Sequence, residues 1–270
     1  MIAAGGLGTR VGGWSPFLPK EFRPVDGRPG LLHVLDEVAA TGIRRTVVVH
    51  HPYYTPFVDW VRQVLTPGTL ARYRDLAGQA PPTRSVTEGL PVEFIAQHGR
   101  YADVTSALNG SEYLGSTDVC VVFSDNVDPG HRALGDLVGA AEPGVPAVLA
   151  AEFDVRAASS HGVILCGGRG AVRTMCGLVE KPDPFHARQL VSDHGAHNLR
   201  LLLGRMHLTP QLLHRLSAGA HRTTSEPRLS LEVAEYARRC RVDVVTTSSQ
   251  MIDLGVADTP GTAPSGPVPA

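Results

Sequence analysis

Gly5-Gly6-Leu7-Gly8-Thr9-Arg10 closes the short apolar run Met1-Ile2-Ala3-Ala4, so closely spaced backbone N–H groups stand beside one guanidinium. Such a turn can surround phosphate oxygens, and Arg10 adds a cation that binds two oxygens at once. No Lys-Ser or Lys-Thr follows the glycines, which excludes a Walker A loop. The third glycine of a dinucleotide fingerprint falls one residue late, at Gly12, yet Asp26 stands about where a ribose-binding acid would sit, so a nicotinamide fold stays open. A second signal is the rarity of lysine: of 25 Lys plus Arg, only Lys20 and Lys181 are lysines. An ammonium on a flexible stem follows a phosphate oxygen as a compact charge, although two leftover surface cations are the plainer reading. His50-His51 and His194/His197 lack the carboxylate spacing of a metalloprotease, and no G-x-S-x-G marks a serine hydrolase.

These residues must be carried by an α/β scaffold. The β-branched run at 44–50 follows a helical pattern at 31–41, making one β-α-β unit after the glycine turn. Strand-like stretches recur at 92–96, 119–123 and 147–151, with helical patterns at 104–114 and 131–141 between them, which implies a mostly parallel layered sheet. Beyond 152 the rhythm changes to shorter strands at 162–166, 171–180 and 199–208 and helices near 210–219 and 229–240. We therefore expect a nucleotide-binding part at 1–152 and a smaller part at 153–256. A surface excursion is expected at 66–91, and the proline-rich 257–270 reads as a disordered tail.

Composition narrows the class. With 270 residues, 43% hydrophobic, 19% charged and a net charge of -1, the chain suits a folded core and not a nucleic-acid-coating protein. No apolar run approaches the roughly 20 residues that span a bilayer, so no membrane partner and a cytoplasmic location are expected. The four cysteines form no C-x-x-C pair and read as reduced, mostly buried thiols.

The glycine turn, followed nine residues after Arg10 by the segment beginning Pro19-Lys20-Glu21-Phe22-Arg23-Pro24, resembles the signature of the sugar-1-phosphate nucleotidyltransferases. Further segments match in order: Gln97, Phe123-Ser124-Asp125-Asn126, His161-Gly162-Val163, Glu180-Lys181-Pro182, Asn198-Leu199 with Gly204-Arg205, and Asp253-Leu254-Gly255. The Pro-Lys-Glu form and the long segment at 66–91 are most similar to the bacterial UTP–glucose-1-phosphate uridylyltransferase branch. The resemblance implies a Rossmann-like mixed, mostly parallel sheet flanked by helices, of the nucleotide-diphospho-sugar transferase type, with a smaller sugar-binding lobe. It also implies a nucleoside triphosphate, UTP first, and a sugar 1-phosphate or cyclitol phosphate as substrates.

On that reading Arg10, Lys20 and Lys181 are the catalytic cations. Ala4, Gly5, Gly6, Gly8, Thr9, Glu21, Gln97 and Asp103 belong to the nucleotide. Asn126, Gly162, Glu180, Lys181 and Asn198 belong to the sugar phosphate. Asp125 and Asp253 would bind Mg2+, as two hard oxygen ligands suit that ion; a helix cap and a turn residue are the alternatives for them.

The chain also departs from the family pattern. Tyr101-Ala102-Asp103 stands where a glycine turn usually meets base and ribose, and Met206 follows Gly204-Arg205 where an aromatic residue is common. The first strand is short, which leaves a start upstream of Met1 as an expectation. The tail replaces a helical segment that often helps assembly, so a homo-oligomer is expected to differ from the family habit. A non-catalytic regulatory homologue and a metal-dependent glycosyltransferase are the competing functions.

Overall fold

The structure is a computed structural model that describes residues 1–9, 15–64, 68, 71–72, 75–76, 78, 90–115, 117–168, 172–220 and 227–255. The expected tail at 257–270, most of the excursion at 66–91, and Arg10 lie outside the described residues.

In chain order the strands are β1 (Ile2–Ala4), β2 (Pro24–Val25), β3 (Arg28–Pro29), β4 (Thr46–His50), β5 (Val92–Ala96), β6 (Val119–Phe123), β7 (Asn126–Val127), β8 (Ala147–Glu152), β9 (Gly162–Gly167), β10 (Arg173–Glu180), β11 (Leu199–Leu208), β12 (Asp243–Thr246) and β13 (Ile252–Asp253). The helices used below are α1 (Gly30–Ala40), α2 (Thr55–Val64), α3 (Asp103–Leu114), α4 (Ala133–Ala140), α5 (Pro184–His194), α6 (Pro210–Ala220) and α7 (Leu229–Ala237).

Nine strands form one mixed sheet in the order β5-β4-β1-β6-β11-β8-β12-β10-β9. The first four run parallel; β11 then pairs antiparallel with β6 and β8. Because β11 also pairs with β9, strands β11, β8, β12, β10 and β9 close on themselves as a ring. A single sheet thus runs through both expected parts of the chain.

The central strands are buried on both faces, which is why they read as unbroken β-branched runs instead of alternating ones. Alternation survives in which layer each side chain enters. Val47, Val49 and Val121 face the layer of α3, α6 and α7, whereas Val48 and Val122 face that of α1 and α4. Helix α1 buries Leu31, Val34, Leu35 and Val38 at helical spacing in the second layer. Helix α5 packs Ala187 and Leu190 over β9 and β11 in a third cluster, and Asp183 caps its N-terminus by accepting from the Phe185 and His186 amides. Of the four thiols, only Cys166 is fully buried; Cys176, at the irregularity in the β9–β10 pairing, is exposed, contrary to the expectation of mostly buried cysteines. Among the described residues no helix is long and apolar enough to cross a membrane.

Candidate active site

The glycine turn, Gln97 and Asp125 all follow the carboxyl ends of parallel strands, β1, β5 and β6, where ligands of open α/β sheets gather. Gly5, Gly6, Leu7, Thr9, Gln97, Tyr101 and Ser106 line a cavity of about 600 Å³ there. Gly5 is required by closeness, and Gly6 leaves the flexible end of Lys20 its place. A Cβ on Gly5 would stand 2.3 Å from Gln97 Oε1, and one on Gly6 would stand 3.2 Å from both Cε and Nζ of Lys20. Gly8, at φ +65°, turns the chain in the left-handed region. Tyrosines hold the loop: the Leu7 amide donates to the Tyr101 hydroxyl at 3.3 Å, and the Tyr54 hydroxyl donates to the Ser15 carbonyl at 2.9 Å.

The floor of this cavity is a half-buried charge cluster. Lys20 Nζ is in direct contact with Asp125 Oδ2 and lies 3.7 Å from Glu21 Oε1. Burial alone would lower the Lys20 ammonium, but the carboxylates of Asp125, Glu21 and Asp253 outweigh it and raise its pKa. Glu21, 2% exposed, is pushed up to about 7 by burial, which Lys20 only partly offsets. Its Oε1 accepts from the Ser124 hydroxyl at 3.2 Å, while Oε2 has no partner among the described residues.

Asp253 is brought to Asp125 by a two-stranded ribbon: β13 pairs antiparallel with β7, setting Asp253 opposite Asn126, and the Leu254 amide donates to the Asp125 carbonyl at 2.7 Å. Gly255 shows how near the two carboxylates come. A Cβ there would lie 3.0 Å from Asp253 Oδ1 and 3.5 Å from Asp125 Oδ2. Among the described residues no three His, Cys, Asp or Glu side chains cluster as a metal site. The pair nevertheless suits a hard cation that completes its shell with waters and phosphate oxygens, the usual manner for Mg2+.

A second cavity, of about 490 Å³, shares Asp103, Phe123, Asp125, Glu180, Lys181 and Ser230 with the first. Gly162 and Glu180 face each other across the β9–β10 pair, and a Cβ on Gly162 would lie 3.2 Å from Glu180 Oε2. Lys181 follows at φ +46°, held by its amide donating to the His161 carbonyl at 3.1 Å. Asn126 lines this cavity and accepts from the Gly204 amide through Oδ1 at 3.0 Å. Gly204 sits where β11 shifts register against β8, and Met206 lines the cavity beyond it.

Several expected site residues are placed elsewhere. Asn198 lines neither cavity; its amide is spent on Arg173 Nη1 and the His194 carbonyl, at 3.0 and 2.9 Å. Glu21 and Ala4 lie behind Lys20 against a small apolar void with Phe22 and His50. Gly8 shapes the loop without lining either cavity. Asp103 does line both, but its Oδ1 accepts from the Val104 and Leu229 amides, at 2.7 and 2.8 Å, so one carboxylate oxygen ties the first turns of α3 and α7 together. Sequence reasoning missed Arg228, which reaches Glu180 at 3.6 Å and lines the first cavity. Among 23 arginines, nothing in its local pattern sets it apart.

The architecture is that of the nucleotide-diphospho-sugar transferase fold, with two joined cavities at the strand ends. No family model matches the chain. Its fold resembles an apo UDP-glucose pyrophosphorylase with a TM-score of 0.77 at 19% identity, over 94% of this chain and 92% of that one. In sequence it is 21% identical to a UTP–glucose-1-phosphate uridylyltransferase of Bacillus subtilis over 94% of this chain and 84% of that protein. It is 23% identical to the Mycoplasma pneumoniae enzyme of the same name over 70% of this chain, a match spanning 66% of that protein's length. In fold and, distantly, in sequence the chain is thus similar to sugar-1-phosphate nucleotidyltransferases.

Proposed function

We propose that this protein joins a nucleoside triphosphate to a sugar 1-phosphate, releasing pyrophosphate and an NDP-sugar. The observation that carries the reading is the meeting of two cavities at one cationic and carboxylate cluster: Lys20 and Asp125 on one side, Lys181 and Glu180 on the other. A phosphate oxygen of the sugar attacks the α-phosphorus, the bond to the β-phosphate oxygen breaks, and pyrophosphate leaves in line. Because both reactants are anions, the protein supplies charge and position more than covalent chemistry. Lys20 steadies the α-phosphate, Lys181 brings in the sugar phosphate, Arg10 and the glycine turn take the departing pyrophosphate, and Glu180 accepts from sugar hydroxyls. Mg2+ held by Asp125 and Asp253 would neutralise phosphate charge.

The base is read as uracil or thymine. Gln97 Nε2 donates to the Ala102 carbonyl at 3.2 Å and lies 3.4 Å from that of Arg100, which fixes the amide's orientation. Its Oε1, which accepts from Ser106, keeps a lone pair for a base that offers N3–H; cytosine would present a lone pair to that oxygen instead. The glucose 1-phosphate reading rests on the named relatives, and the cytoplasm, in keeping with four unpaired cysteines, is the proposed compartment. A purely regulatory homologue would not need both lysines at the joined cavities.

Pyrophosphate release, measured across UTP, dTTP, CTP, ATP and GTP against several sugar 1-phosphates and cyclitol phosphates, tests this. Turnover with UTP or dTTP, and at least about tenfold less with CTP, is expected. A preference for CTP would refute the base reading, and no release with any pair would refute the catalytic one.

A further inference from the structure

We propose that Lys20 is the resting counterion of Asp125, so that a divalent cation enters this site effectively only in company with the triphosphate that draws Lys20 away. The inference rests on the reading of Asp125 and Asp253 as a cation-binding pair.

Lys20 is in direct contact with the same Asp125 oxygen, Oδ2, that approaches Asp253 around Gly255. Its ammonium and a divalent cation are therefore alternative partners for one carboxylate. The side chain is 11% exposed, so leaving Asp125 for the water of the cavity gives up a shielded charge-assisted contact, and another anion lowers that cost. Glu21 is the near candidate, at 3.7 Å, but it is buried behind Lys20 with its charge disfavoured, as its raised pKa indicates. That makes it a poor substitute for Asp125. The path in the other direction is open: Lys20 lies across Gly6, where the missing side chain leaves room, and it lines the same cavity as the phosphate-binding turn. A triphosphate in that turn is an anion within reach of the ammonium. Its arrival frees Asp125 while bringing the cation that replaces Lys20, and the charge near the two aspartates stays compensated throughout. Without nucleotide, a free cation must displace a shielded ammonium that gives up its contact with Asp125 for the water of the cavity.

The test uses Mn2+ as the probe, titrated without nucleotide into the full chain while unbound Mn2+ is counted by electron paramagnetic resonance. Lys20→Met and Lys20→Gln, two variants so that a folding defect in one does not decide the matter, are each expected to bind Mn2+ at least tenfold more tightly than the wild type. That gain is expected to vanish in the Lys20→Met/Asp125→Asn double variant. Equal Mn2+ affinity in wild type and both single variants, with Asp125→Asn alone abolishing binding, would overturn the counterion role and leave the site reading intact. Tightening that persists in the double variant would also overturn it, since the gain would then come from lost charge in general. Failure of every form to bind Mn2+ would remove the cation-binding pair and the proposal together.

Discussion

Lys181 and Asp125 stand where the two cavities meet, yet their removal should read differently. On the proposed function Lys181 receives the sugar phosphate as a point charge, so Lys181→Ala is expected to raise KM for the sugar phosphate about 10- to 100-fold with a smaller change in KM for the nucleotide, measured by initial rates against each substrate in turn. Asp125→Asn keeps the shape and removes the charge; kcat should fall at least about a hundredfold. Glu21 offers a test with a sign. Its carboxyl titrates at about 7 in the folded protein against an ordinary value of 4.5, so the folded state holds the proton more tightly. Stability from this group is therefore fully present below about pH 4.5 and is lost as pH rises through about 7. Glu21→Gln should gain on the wild type across that window, by about 3 kcal/mol at most, in urea unfolding at pH 4.5 and pH 8. An equal difference at the two pH values would refute the assignment.

At the scale of elements, the site depends on how helices and loops are tied down. One oxygen of Asp103 serves the Val104 amide at the start of α3 and the Leu229 amide at the start of α7, two segments 126 residues apart. Asp103→Ala should cost on the order of 1–2 kcal/mol and loosen Arg228 and Ser230 at the cavity; a thermal melt measures the first and the KM for nucleotide the second. This residue also shows where sequence reading stopped. The helix was legible at 104–114 from apolar spacing, one residue short of its start, and a cap was one reading of Asp103, but its second partner comes from a distant segment that periodicity cannot pair. Strands at 92–96, 119–123 and 199–208 were legible to the residue, because each is a β-branched or leucine-rich run long enough to cross the sheet. The bond from Arg173 to the Asn198 side chain was not legible, because the neighbours of Asn198 in a family motif say nothing of that distant cation.

For the whole molecule, the buried pair of Arg205 and Glu37 is the tie between the two expected parts. Both are fully buried; Arg205 Nη2 and Nε reach the carboxylate at 2.5 and 3.1 Å, and Glu37 Oε1 also accepts from the Leu134 amide. Arg205→Met strands a buried carboxylate and should cost about 3–5 kcal/mol, while adding Glu37→Leu should recover much of the loss in denaturant melts of single and double variants. Arg205 was legible as part of a Gly-Arg pair, but its partner, on a helix otherwise read as apolar, was not.

The closed ring of strands also sets an order of events during synthesis. Strand β12 lies between β8 and β10, yet more than sixty residues separate it from the end of β10, so a growing chain carries two unpaired strand edges until residues 243–246 have emerged. Each edge is a template for a neighbouring chain. Until then the ring gapes and Asp253 has not been made, so the nascent protein passes through a stage that is both adhesive and inert. A cell making much of it would therefore be expected to rely on holding factors near the ribosome exit for that final stretch.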